Sequence, residues 1–147
     1  MLSRFLQMTT NIIYDKLAIG EALVRYLNFI NGIKDVSLNP LKEPYNQKKA
    51  FDMARESDFL IVDAFIDGKP KGFQFVKVME KKTLLLFYFK QVDIQDEGVF
   101  WLVLPYKLDR LSEKVNEILN QPPPSSEDFE KLEKSIIELS ERKEHHD

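Results

Sequence analysis

Residues Asp58–Val78 read DFLIVDAFIDGKPKGFQFVKV, and the parsing of this stretch decides the fold. An apolar run, Phe59 to Ile66, is closed by Asp67-Gly68, and a second run ends at Val78. Asp-Gly between apolar runs supplies the φ > 0 positions of a tight hairpin turn. Phe73 and Phe75 alternate with Gln74 and Val76, a period of two. The stretch therefore predicts two strands, about 58–66 and 71–79, paired across Asp67-Gly68.

Two further strands follow, about 83–91 and 98–104. Leu84–Phe89 and Val99–Leu104 are apolar at every position. A strand wetted on one face would alternate, so these runs require cover on both faces, by helices or by a partner subunit. Ile33–Leu38 reads as a fifth, short strand. On the N-terminal side, residues 10–31 predict a helix, because Ile13, Leu17, Gly20, Val24 and Leu27 recur at spacings of three and four. Thr10 or Asn11 would cap it and Gly32 would end it. A second helix is expected over Asn46–Glu56, with Ala50, Phe51 and Met53 or Ala54 inward. A third is expected over Lys107–Asn120, with Leu108, Leu111, Val115 and Ile118 or Leu119 on one face. Gln121-Pro-Pro-Pro-Ser-Ser126 cannot continue a helix. Ser125 with Asp128 three residues on is a capping signature, and Phe129, Leu132, Ile136 and Leu139 then mark an apolar seam on a last helix. The expected fold is mixed α/β, α+β-like: a largely antiparallel sheet of four or five strands with helices on both faces. Residues 1–120 form one globular domain, and 121–147 are a Pro-rich linker and an acidic amphipathic helix.

The 147 residues are 44% hydrophobic and 31% charged, the composition of a water-soluble globular protein. No run approaches the roughly 18 apolar residues of a membrane span, and the N-terminus does not read as a signal peptide. The chain has no cysteine, which excludes disulfides, zinc thiolates, iron–sulfur clusters and thiol catalysis and fits a cytoplasmic setting. The net charge of −3 is uneven. Residues 126–147 carry eight acids against four bases, whereas 1–125 carry 17 bases and 16 acids. A near-neutral body offers few phosphate contacts. Lys69, Lys71, Lys77, Lys81, Lys82 and Lys90 are its one basic cluster.

Lys71-Gly72-Phe73-Gln74-Phe75-Val76-Lys77-Val78 resembles the longer ribonucleoprotein signature of the RNA-recognition-motif family, departing from it at Gln74 and Val78. That resemblance implies that Phe73 and Phe75 stack on bases, with Lys69, Lys71 and Lys77 beside them. The competing reading has both rings in the core, where aromatics on one strand face most often lie. A looser resemblance, over residues 16–104, is to the restriction-endonuclease-like superfamily. It implies a metal-dependent site of Glu21, Asp58 or Asp63, and Lys77, but Phe75 stands where that family needs an acid. No Gly-rich phosphate loop is present, and His145 and His146 at a chain end do not preorganise a metal or a Ser-His-Asp triad. No catalytic set, metal or cofactor is expected. The leading expectation is a non-catalytic accessory protein, a subunit of a larger and nucleic-acid-associated assembly, with a protein partner or a second copy docked on Phe129, Leu132, Ile136 and Leu139. A single-stranded nucleic-acid binder and a degenerate nuclease are the alternatives.

Overall fold

The computed structural model describes residues 9–31, 33–40, 44–87, 100–103 and 108–145. Among these, five strands form one sheet: β1 (Thr9–Tyr14), β2 (Asp35–Pro40), β3 (Phe59–Asp63), β4 (Lys82–Phe87) and β5 (Phe100–Val103). The helices are α1 (Leu17–Tyr26), which runs on into a π-helical turn over Leu27–Asn31, then α2 (Pro44–Glu56), α3 (Lys71–Lys77), α4 (Leu108–Leu119) and α5 (Ser126–His145). The strand order is β2-β1-β3-β4-β5, and every pairing is parallel.

This corrects the expected antiparallel sheet. The Asp67-Gly68 turn is present, with φ of 55° and 75°, the positive values that a type I′ turn requires at both central residues. It closes a single antiparallel bridge, Ile66 to Lys69, rather than a hairpin of two strands. The chain then enters α3, and the helix carries it back so that β4 enters the sheet parallel to β3. Residues 71–79 are therefore helix and turn. Gly72, Phe73, Phe75 and Val76 are buried, while Gln74 is exposed and Val78 is 67% exposed. That is the stripe of a helix, not the alternation of a strand.

A second correction concerns residues 10–31. Thr9–Tyr14 is a strand, and helix begins only at Leu17. Thr10 and Asn11 are polar yet fully buried, because β1 lies inside the sheet with partners on both sides. Leu84–Phe87, the described part of the first doubly apolar run, finds its cover within the chain. All five residues of β3 are buried, as are Thr83–Phe87 of β4. The expected strands over 88–91 and 98–99, and residue 104, lie outside the described residues.

Two cores flank the sheet. On one face α1 and α4 pack through Leu23, Leu27, Leu111, Val115, Ile118 and Leu119 onto Ile12, Phe59, Ile61, Leu84 and Leu86. On the other, α2, α3 and α5 pack onto Ile13, Leu60, Val62, Leu85 and Phe87. The α5 N-terminus carries the expected capping box, in which Ser125 N–H donates to Asp128 Oδ2 (3.0 Å) and Asp128 N–H to Ser125 Oγ (3.3 Å). Phe129 and Leu132 then enter the second core. The last helix thus folds back on its own body through these two side chains. This corrects the assignment of Phe129 and Leu132 to a partner, since both are covered within the chain; the side chains of Ile136 and Leu139 lie outside the described residues.

Candidate functional site

In an open parallel sheet, ligands bind beyond the carboxyl ends of the strands, at the point where the strand order reverses. For the order 2-1-3-4-5 that point lies between β1 and β3. Both strands end there in an aspartate: Ile12-Ile13-Tyr14 runs into Asp15, and Leu60-Ile61-Val62 into Asp63. Asp63 is 2% exposed. The Asp15 backbone N–H donates to Asp63 Oδ2 at 2.6 Å, and the Asp67 N–H donates to Asp15 Oδ1 at 3.2 Å. The two strand ends and the Asp67-Gly68 turn are thereby tied into one acidic corner.

The start of α3 is seated on the same corner. Gly72 N–H donates to the Ala64 carbonyl at 3.1 Å, and Ala64 N–H continues the β3–β4 ladder to Leu86 O at 3.0 Å. A Cβ on Gly72 would stand 1.9 Å from the Asp63 carbonyl oxygen and 3.0 Å from Ala64 Cα. Only glycine permits this approach of helix to strand. Gly72 thus has a backbone role unrelated to nucleic acid.

The residues named from the sequence are dispersed. Phe73 is fully buried and Phe75 is 3% exposed. Phe73 lies 5.6 Å from Phe87, and Phe75 lies 4.7 Å from Phe51, centroid to centroid. These rings form core contacts and offer no stacking platform, which corrects their assignment to nucleic acid. Lys69 is exposed in the turn, Lys71 opens α3, and Lys77 pairs with Glu133 of α5 at 3.2 Å. The three lysines do not form one strand face, because Lys69 lies in the turn and Lys71 and Lys77 stand at opposite ends of α3.

The nuclease constellation is not assembled either. Asp58 precedes β3 and accepts the Thr9 N–H, whereas Asp63 ends β3. Five residues of strand separate them by about 16 Å. Glu21 is exposed on α1, and Lys77 stands at the end of α3 remote from Asp63. Among the described residues no three His, Cys, Asp or Glu side chains gather as a metal site. The pairing of Asp15 with Asp63 was not evident in the sequence, though it left a signal: one apolar run ends at Asp15, and another is interrupted by Asp63.

No family model matches this chain. No curated protein matches it either. Solved structures do match in fold. A response regulator receiver domain protein from Bacillus halodurans C-125 superposes with a TM-score of 0.57 at 13% identity, over 76% of this chain and 96% of that one. The signal receiver domain of a DNA binding response regulator protein (merR) from Colwellia psychrerythraea 34H gives 0.56 at 13%, over 78% and 100%. SdrG from Sphingomonas melonis Fr1 gives 0.54 at 13%, over 76% and 96%. At this identity the likeness is one of fold, and it establishes that this chain has the α/β architecture of a receiver domain, with a parallel sheet in place of the antiparallel one.

Proposed function

We propose that this chain is a non-catalytic interaction module of the receiver type, an accessory subunit that binds a protein partner in the cytoplasm and responds to the chemical state of Asp63. The observation that carries the reading is the acidic corner: a buried carboxylate at the switch point that accepts the backbone N–H of the neighbouring strand end, on a residue whose own backbone carbonyl seats the first turn of a helix. A change of charge there bears on Asp15 and, through it, on the Asp67 N–H in the turn. The fold likeness to a signal receiver domain supports the same reading. So does the scatter of Glu21, Asp58, Asp63 and Lys77, which leaves the carboxylates without the cluster that metal-assisted hydrolysis uses. No helix among the described residues is long and apolar enough to cross a membrane.

The test is affinity capture of the full chain, expressed at its native level in its own cells, beside Asp63→Asn. The expected result is one protein partner at a fixed ratio whose recovery changes with Asp63→Asn. Recovery of the chain alone, or equal recovery by both forms, would sink the proposal. A carboxylate can also accept a phosphoryl group. Incubation with acetyl phosphate and magnesium, followed by intact mass measurement, is expected to leave the mass unchanged, because Asp63 is 2% exposed and one of its oxygens already accepts a hydrogen bond. A phosphoryl adduct absent from Asp63→Asn would make the chain a catalyst of its own modification.

A further inference from the structure

Among the described residues three large apolar side chains stand in solvent: Leu17 at 50% exposure, Phe29 at 89% and Val78 at 67%. Leu17 and Phe29 lie on one ridge. Leu17, Glu21, Arg25 and Phe29 follow one another at steps of four along α1 and its π-helical turn, and all four are exposed. Rows of this spacing are the ridges by which helices pack. The opposite side of the same helix is already in use, since Gly20, Leu23 and Leu27 are buried against the sheet. The ridge faces away from that core.

The π-helical turn keeps the ridge in line. In an α-helix each step of four moves about 40° further round the axis, so such a row drifts. The wider turn over Leu27–Asn31 offsets part of that drift in the step from Arg25 to Phe29. The turn is also pinned. Leu27 and Ile33 are fully buried, and the Ile33 N–H donates to the Leu27 carbonyl at 3.1 Å. A ring held out on a fixed backbone loses little freedom on binding.

The order along the ridge is apolar, acid, base, apolar, which is its own complement when reversed. A second copy laid antiparallel sets Leu17 beside Phe29 and Glu21 beside Arg25, each pairing twice, about an axis midway between Glu21 and Arg25. A parallel copy would set acid on acid and base on base, so the charges select the direction. Among the described residues the ion pairs involve neither Glu21 nor Arg25. Ala18 and Ala22 on the neighbouring row leave a groove for the facing ridge.

We propose that α1 and its π-helical turn form a two-fold interface with a second copy of this chain, anchored by Phe29 against Leu17 and aligned by Glu21 against Arg25. This goes beyond the reading of Asp63 and does not depend on it. A single ridge covers less than the roughly 800 Å² per partner of a standard interface, so the association is reversible and follows concentration.

Sedimentation equilibrium of the full chain from micromolar to millimolar concentration reads the pairing directly. Dimer is expected toward the upper end of that range. Phe29→Ala is expected to weaken it on the order of tenfold, with the unfolding midpoint unchanged because the ring is exposed. Glu21→Arg and Arg25→Glu each set like charges together and are expected to be monomeric alone. Mixed in equal amounts they oppose a basic ridge to an acidic one, and a heterodimer is expected. A chain that stays monomeric throughout would overturn the proposal. So would a dimer indifferent to Phe29→Ala and to both charge reversals, or a mixture that stays monomeric. A monomer in which Phe29→Ala instead abolishes recovery of a different protein in affinity capture would give the ridge to that protein and overturn the pairing of copies.

Discussion

The two faces of the sheet are built differently. Among the described residues, the α1/α4 face is closed mainly by aliphatic side chains, with Phe59 as its one buried phenylalanine. Lys82 fastens α4 there by donating from Nζ to the Leu119 carbonyl at 2.8 Å, a cation on a helix C-terminus. The α2/α3/α5 face buries Phe73, Phe75, Phe87 and Phe129, with Phe51 and Phe65 packed against them. Its rings meet tilted or edge-on, as between Phe65 and Phe73 at 6.0 Å and 90°. Buried side-chain atoms without a hydrogen-bond partner occur on both faces: Asn11 Nδ2 and Glu133 Oε2 on this one, and Thr10 Oγ1, which alternation puts on the side of Ile12, on the other. Both faces are close-packed, one by branched aliphatics and the other by interlocking rings, so they differ in the shape of the side chains that each must accommodate.

The largest effect expected from this contrast is that of Phe73→Ala. Removing a fully buried ring costs about 3–5 kcal/mol, read by urea unfolding, and exchange in 126–132 should rise beyond the global loss. Leu111→Ala on the opposite face costs about 2–5 kcal/mol and should lower all regions together. If α5 responds equally to both, the two faces do not differ in kind.

A smaller effect tests the polar groups. Asn39 Nδ2 donates to Asn11 Oδ1 at 2.5 Å in a buried pair between β1 and β2. Asn39→Ala strands Asn11 and should cost about 1–3 kcal/mol. Replacing both with valine should recover most of that loss, and failure to recover would mean that the pair holds strand register rather than merely satisfying itself. Ser125→Ala removes the α5 cap and should cost about 1 kcal/mol, with the loss confined to α5 in exchange measurements. The smallest effect belongs to the α1/α4 face. The Arg110–Glu113 pair on α4 is more than half exposed, so Arg110→Ala should shift the unfolding midpoint by no more than about 0.5 kcal/mol equivalent.

Local rules reached as far as local chemistry did. Asp67-Gly68 was legible as a tight turn, because only the turn's own backbone demands those residues. The Ser125–Asp128 box and the Leu111, Val115, Ile118 and Leu119 stripe were legible for the same reason. What lay beyond reach depended on partners distant in the chain. Thr10 and Asn11 look like helix caps until β2 and β3 enclose them. Lys71–Val78 fits a strand by alternation and a helix by burial, and what selects the helix is the seat that Asp63 and Ala64 provide for Gly72. The candidate site fared likewise. Asp63 was named, but for a nuclease, because its pairing with Asp15 spans 48 residues and exists only once the sheet is parallel.

The late position of α5 has a consequence for how the molecule is made. The aromatic face is not covered until Phe129 and Leu132 arrive, roughly 30 residues after the last strand leaves off at Val103. At ordinary rates of synthesis that gap lasts on the order of 2–6 s. During that interval a nascent chain with its strands complete would still present bare phenylalanine to solvent. The birth of this protein therefore includes a brief window of stickiness, in which a chaperone or an early-binding partner has its best access, and which the capped first turn of α5 brings to a close.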